Sequence, residues 1–360
     1  MEIAVLGSGN GGCAVAFDCA NHGHSVNLFD FEIFPDNIKR VQELGGIYAG
    51  GELEGFAPIH YAGHNIEQVL HRAELIIVVG PAYSTQPFAK ACKPYLQKGQ
   101  IVLVCPGSCG GSLAFKNGAG LAIRDSEIVV AETSTLPYAV RLVKAGKIRV
   151  FLKLRGGLFV AAVPASNTNK VLESISDVYP AMASAKNVLQ TSLQNGNPVI
   201  HPTVTLLNAA LIERTQGDFY FYEEGVTSAV GRLLEAIDQE RIAIGNRLGV
   251  QVISEPEIGC TQGYMRESTY DRGYAEAPGF RGIQAQRNLN HRYIHEDVGY
   301  GLVFWQSLGK QIGVETPNID ALIQIASVLM GRDYLGEEKR TMESLGLSGY
   351  PAEELAQLLE

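Results

Sequence analysis

The sequence predicts a chain in two parts, a doubly wound α/β sheet over residues 1–185 and an all-helical domain over residues 186–360. Three observations lead there. Short apolar runs alternate with helical stretches through the first half, a glycine-rich turn joins the first run to the first helix, and strand signals cease after about residue 185. A length of 360 residues with 46% hydrophobic and 19% charged content suits two soluble domains with a sizeable core.

The first thirty residues form one unit. Ile3-Ala4-Val5-Leu6 reads as a buried strand, Gly7-Ser8-Gly9-Asn10-Gly11-Gly12 as a turn into an apolar helix, and Ser25-Val26-Asn27-Leu28-Phe29 as a second strand closed by Asp30. In this spacing Gly7 permits a tight turn, Gly9 lets backbone approach a ligand, and Gly12 lets the helix lie close on the sheet. The unpaired N–H groups at the start of that helix suit a pyrophosphate. Asp30, 23 residues after Gly7, is placed to accept hydrogen bonds from a ribose diol and to repel a ribose 2′-phosphate. No Arg or Lys follows Asp30 before Lys39. The reading is therefore a Rossmann-type domain that prefers NAD to NADP, with Gly7, Ser8, Gly9, Asn10, Gly12 and Asp30 as cofactor-binding residues.

Further strands are expected near residues 75–79, 101–104, 128–131, 148–154 and 158–163, all in the same sheet. The turns Gly80-Pro81-Ala82 and Pro106-Gly107-Ser108 follow two of them and are expected beside the cofactor, because ligands in such sheets lie beyond the strands' carboxyl ends.

In the second half, Val226, Val230, Leu233, Leu234, Ile237, Ile244 and Leu248 recur at helical spacing before Gly249. Thr316-Pro317 opens another helix, whose apolar face ends at Gly331. Packing explains both. The stretch from Tyr264 to Arg292 differs, carrying Arg266, Arg272, Arg281, Arg287 and Arg292 with little apolar periodicity, and reads as a functional or mobile loop.

The formal net charge of -9 argues against nucleic acid or an anionic membrane as the main partner. The six cysteines form no C-x-x-C pair, so no metal site is expected, and they read as buried thiols in a reducing compartment. The first apolar run ends at Gly7 without a basic leader, and no later run reaches membrane-spanning length. A cytoplasmic protein is expected, and apolar helical faces in the second half suit a homodimer.

A nicotinamide enzyme needs a group that handles the substrate's proton. Among eight histidines, His22, His24, His60, His64 and His71 fall in polar connections, and His291 and His295 are open to either reading. His201 stands out in Asn195-Gly196-Asn197-Pro198-Val199-Ile200-His201-Pro202, where Pro202 is expected to start a helix and place His201 at its N-terminus. A helix dipole there favours a neutral imidazole, and a nearby carboxylate favours the charged one. Asp297, just before an apolar run to Trp305, reads first as a helix N-cap and second as that carboxylate. Asn208, two turns beyond His201, is placed to reach the same site or to satisfy backbone.

The motifs Gly7-x-Gly9-x-x-Gly12, His201-Pro202-x-x-Thr205-Leu206-Leu207-Asn208 and Arg292-Tyr293-x-x-Glu296-Asp297-x-x-x-Gly301-Leu302 together resemble the octopine/nopaline-type opine dehydrogenases over almost the whole chain. The resemblance implies NAD(P)H-dependent reductive joining of a 2-oxo acid, such as pyruvate, to the amine of a neutral amino acid. It makes His201 the acid-base residue, Asp297 its partner, Arg292 an anchor for a substrate carboxylate and Thr133 a contact for the oxo acid. Two other readings fit the fold: a 2-oxo acid reductase of the ketopantoate type, which needs no amine, and a non-catalytic NAD-binding protein. Residues 190–250 contain no lysine, against the helix lysine on which ketopantoate-type reductases rely.

Overall fold

The computed structural model describes residues Met1–Glu360 and divides them into two compact units. The first comprises Met1–Gly107, Gly111–Thr191 and Leu358–Glu360; the second comprises Ser108–Gly110 and Ser192–Gln357.

Twelve strands lie in the first unit: β1 Glu2–Leu6, β2 Ser25–Phe29, β3 Gly46–Gly51, β4 Gly55–Pro58, β5 Tyr61–Gly63, β6 Leu75–Val78, β7 Ile101–Val104, β8 Val129–Thr133, β9 Tyr138–Lys144, β10 Lys147–Lys153, β11 Leu158–Val163 and β12 Met182–Ser184. Eight form the main sheet in the order β12-β11-β8-β7-β6-β1-β2-β5, every neighbouring pair parallel except β11 with β8. The central strands Leu-Ile-Ile-Val and Ile-Val-Leu-Val are buried along their whole length, as a sheet covered on both faces requires. Successive side chains of β1 enter opposite cores. Ile3 and Val5 pack with the helix Asn10–Asn21, whereas Ala4 and Leu6 pack with Phe88, Ala89 and Phe115 of the helices Thr85–Cys92 and Gly111–Ala119.

One expectation is corrected. The strand expected at 148–154 belongs to a separate four-stranded sheet, β4-β3-β10-β9, in which β10 runs parallel to β3 and antiparallel to β9. Its residues alternate exposed and buried from Lys147 to Val150, the pattern of a sheet with one solvated face. The helix Asn10–Asn21 contacts both sheets and is buried on all sides from Gly12 to Cys19.

The second unit is helical. Its elements include Asn197–Leu207, Ser228–Arg247, Glu255–Gln262, Val303–Ile312 and Pro317–Met330. Thr227 caps Ser228–Arg247 by accepting the Val230 N–H, and Gly331 ends Pro317–Met330 in the left-handed conformation. Inside it, Arg241 pairs with Asp238 and donates to the carbonyls of Leu193 and Ile253, tying two connecting segments to the long helix. No helix is long and apolar enough to cross a membrane.

Candidate active site

In the first unit the glycine turn has the shape a dinucleotide needs. Gly7 has φ +111°, and a Cβ there would strike the Val79 carbonyl; a Cβ on Gly12 would strike the Gly7 carbonyl. Gly9 instead faces open space, and the helix that follows begins without a side-chain cap, leaving its first N–H groups for an anion. Asp30 is buried beside this turn. Its Oδ2 accepts both the Ser8 N–H and the Ser8 hydroxyl at 2.7 Å, and its Oδ1 accepts the Phe31 N–H at 2.9 Å. Asp30 thus fixes the turn as well as charging it. Asn10 faces elsewhere: its Oδ1 accepts the Leu142 N–H at 2.7 Å and joins the turn to β9. The turns at Gly80 and Pro106 follow the carboxyl ends of β6 and β7.

In the second unit the helix carrying His201 starts at Asn197, with Pro198 in its first turn. The expected start at Pro202 is therefore too late. Pro198 takes the second position, in the first turn where no N–H is needed, and Pro202 is accommodated inside the helix. His201 consequently lies beyond the first turn, where the dipole has faded, and the dipole argument loses its force.

The expected N-cap role of Asp297 is also corrected. The chain enters helix at Arg292, with His291 Nδ1 accepting the Tyr293 N–H at 3.3 Å, and Asp297 opens a π-helical stretch, Asp297–Leu302, that runs into Val303–Ile312. Such wide turns re-aim side chains and recur at functional sites. Small residues make room for it: Gly301 abuts the Pro198 ring, which a Cβ would strike.

This crossing brings the two residues together. His201 Nδ1 and Asp297 Oδ2 are 2.9 Å apart, and both side chains are buried. The imidazole stacks on Tyr293 with centroids 3.8 Å apart and planes at 15°, and Phe221 meets it edge-on at 6.4 Å. The Tyr222 hydroxyl lies 3.3 Å from Nε2. Burial pushes the Asp297 carboxyl up to about 7, with the Arg292 charge pulling against it. The pair can therefore hold or release a proton near neutrality, titrating as a unit.

Arg292 is half exposed, lies with its guanidinium carbon 5.2 Å from the Tyr293 centroid, and makes one ion pair with Glu296 at 3.2 Å. That contact uses one of its five donors. Burial and the Arg292 charge push His291 down to about 4, which suits its role as a neutral acceptor at the helix start. His295 contacts the Tyr334 hydroxyl and Asn290, so its place is structural.

Thr133 and Asn208 are each engaged by backbone carbonyls nearby. Thr133 ends β8 in the first unit, fully buried, and donates to the Thr135 carbonyl at 2.9 Å. Asn208 caps the far end of the His201 helix and donates to the Val204 and Gly225 carbonyls. In the loop, Arg272 pairs with Glu267 and Arg281 with Glu223, while Tyr264 and Tyr274 stack on Phe280. Tyr293 enters the sequence reading only as the neighbour of Arg292 in its motif, and Tyr222 carries no signal there beyond ending the aromatic run Phe219-Tyr220-Phe221-Tyr222.

The chain is similar to known proteins along nearly its whole length. Residues 184–330 match the family described as NAD/NADP octopine/nopaline dehydrogenase, alpha-helical domain, and residues 2–109 match the NAD-dependent glycerol-3-phosphate dehydrogenase N-terminus. An opine dehydrogenase from Arthrobacter sp. (strain 1C) is 38% identical over 355 residues, covering 97% of this chain and 96% of its own. An octopine dehydrogenase solved with NADH and agmatine superimposes with a TM-score of 0.81 at 17% identity, over 100% of this chain and 98% of the other. A ketopantoate reductase from Ralstonia eutropha shares the fold less closely, with a TM-score of 0.62 at 16% identity over 92% of this chain and 99% of the other. With 38% identity sustained along nearly its full length, the chain belongs to the opine dehydrogenases, a family of NAD-dependent oxidoreductases.

Proposed function

We propose that His201, Asp297 and Arg292 carry the opine dehydrogenase reaction of this chain, in which NADH reductively joins a pyruvate-like 2-oxo acid to the amine of a neutral L-amino acid. The supporting observation is the buried His201–Asp297 pair, a proton carrier walled by aromatic rings beside an arginine with donors to spare. The amine and the oxo acid form an imine with loss of water, reduction at the former carbonyl carbon gives a secondary amine, and the reverse reaction oxidises it. When bound, NADH supplies the hydride for that carbon. Gly7, Ser8, Gly9, Gly12 and Asp30 would hold the cofactor, with Asn10 contributing its backbone N–H alone because its side chain is engaged by β9, and the Asp30 charge favours NADH over NADPH.

His201 donates a proton from Nε2 as the carbonyl oxygen departs as water, and in reverse accepts one from the secondary amine. Asp297 orients the ring through Nδ1 and stabilises its charged form. Arg292 holds a substrate carboxylate through its planar fork. Thr133 is assigned to substrate contact by family resemblance alone, and Asn208 by its place two helical turns beyond His201. Aromatic rings about His201, with no uncompensated charge among them, favour a neutral amino acid. The division of labour follows residues 1–185 and 186–360. A cytoplasmic setting is supported by the six free cysteines, and a homodimer by exposed Ile325, Val328 and Leu329 on one helix.

The test follows NADH oxidation with pyruvate alone and with pyruvate plus each of a panel of amino acids. Oxidation that requires the amine supports this function; oxidation without it points to a simple 2-oxo acid reductase, and none at all to a binding protein. His201→Ala is expected to lose several orders of turnover while still binding NADH, and unimpaired turnover refutes the assignment.

A further inference from the structure

The His201 imidazole is held at both nitrogens. Asp297 meets Nδ1 at 2.9 Å, so the proton that enters or leaves the substrate travels through Nε2, and the group 3.3 Å from Nε2 is the Tyr222 hydroxyl. Tyr222 is itself fixed. Its ring stacks on Phe280 at 4.3 Å and 15° and meets Phe221 edge-on at 5.0 Å and 83°, and it is 5% exposed. A phenol so far from water needs a polar partner for its hydroxyl, and Nε2 is within reach.

We infer that Tyr222 is a positioning residue for proton transfer, holding His201 Nε2 in both of its protonation states until substrate takes the place of its hydroxyl. The inference rests on the role given to His201 above. A neutral phenol can do this where a carboxylate or ammonium cannot: its O–H donates to the lone pair of the neutral ring, and its oxygen accepts the N–H of the charged ring. Burial keeps the phenol protonated by raising its pKa well above the ordinary value. The two states gain unequally, because a hydrogen bond from a charged donor is roughly twice as strong as a neutral one. Tyr222 therefore favours the loaded, protonated imidazole. Phe280 belongs to the Tyr264–Arg292 stretch, so the same stack gives that loop a structural link to the proton-carrying ring.

The titratable groups facing His201 are Asp297, Tyr293, Arg292 and His291, with Glu296 behind Arg292, all from residues 291–297, and Tyr222 from the aromatic run. Tyr222→Phe removes one hydroxyl, leaves those groups in place and preserves the ring stack. The experiment is a pH titration of the full chain labelled with 15N-histidine, followed by NMR, with His201→Asn used to assign the signal. In Tyr222→Phe the His201 midpoint is expected to fall by about half a pH unit or more. Steady-state assays should show kcat reduced about tenfold, less than the loss of a whole acid-base group would cause, and KM for NADH unchanged. A His201 midpoint that stays in place overturns the inference whatever kcat does. If Tyr222→Phe does not fold, Phe280→Leu loosens the support of the tyrosine while keeping its hydroxyl; a smaller shift in the same direction sustains the inference, and an unmoved midpoint overturns it. The two failures are distinguishable. Full turnover by His201→Asn removes the role of His201, whereas turnover that depends on His201 with an unmoved midpoint removes only the role of Tyr222.

Discussion

Pro198 and Gly301 lie against each other where the helix bearing His201 crosses the π-helical stretch bearing Asp297, so closely that a single added methyl group would strike the proline ring. The contact sets the separation of two segments whose functional atoms must stay within hydrogen-bond distance. Gly301→Ala overpacks this crossing. The expected cost is about 1–3 kcal/mol of stability, seen as a lower urea midpoint at unchanged slope. Because the displaced segments carry the proton pair, kcat should fall more than KM for NADH rises. A variant with normal kcat would show that the crossing does not govern the pair.

The two directions of the reaction should depend oppositely on pH. Reduction needs the His201–Asp297 pair loaded with a proton, and oxidation needs it empty. With burial pushing Asp297 up to about 7, the reductive kcat/KM should fall as pH rises through neutrality while the oxidative value climbs. Asp297→Asn replaces the acceptor at Nδ1 with an amide that can hold the wrong tautomer, and turnover should drop on the order of 10³-fold with NADH binding retained. Parallel pH profiles in the two directions, or a loss below tenfold in the variant, would contradict the assignment.

How far the sequence reveals these features depends on the range of the interactions behind them. Gly7, Gly9, Gly12 and Asp30 lie within one strand-turn-helix-strand unit, and their spacing alone places them around one turn. Residues 129–131 and Leu158–Val163 are recognisable as strands because burial on both faces leaves a continuous apolar run. Lys147–Lys153 also reads as a strand, but only its alternation carries the information that it belongs to a second sheet with a solvated face. Asp297 reads as a cap as well as a carboxylate partner because a π-helical stretch has no apolar period of its own and arises from the crossing at Pro198, 103 positions before Gly301. Tyr222 was invisible for the same reason. Its importance comes from Nε2 of a residue 21 positions away and from Phe280, neither of which leaves a local trace.

Arg292 offers a fixed, planar pair of donors beside Tyr293 and is tethered to Glu296 by one contact. Lysine at this position keeps the charge and loses the fork. Arg292→Lys should therefore raise KM for one carboxylate-bearing substrate about tenfold or more, corresponding to a loss of about 1.5 kcal/mol or more, with little change in NADH binding. Varying the oxo acid at saturating amino acid, and then the reverse, identifies which substrate is anchored. If neither KM moves, Arg292 holds no carboxylate.

Glu255 gives a stability prediction away from the reacting atoms. Its carboxyl is buried against Gly196 near Asp238, and Oε2 has no hydrogen-bond partner. Burial pushes it up to about 8 from an ordinary 4.5, outweighing the attraction of Arg241. The folded chain then keeps this proton over a range in which the unfolded chain releases it, so stability declines as pH rises from about 4.5 to about 8. Glu255→Gln cannot ionise and escapes that decline. Any packing change it introduces is the same at every pH, so the informative quantity is the difference between two conditions. Relative to the unaltered chain, the variant should gain on the order of 2 kcal/mol between about pH 5 and about pH 8.5, measured by urea unfolding. An equal offset at both pH values would mean that Glu255 is ionised in the fold throughout.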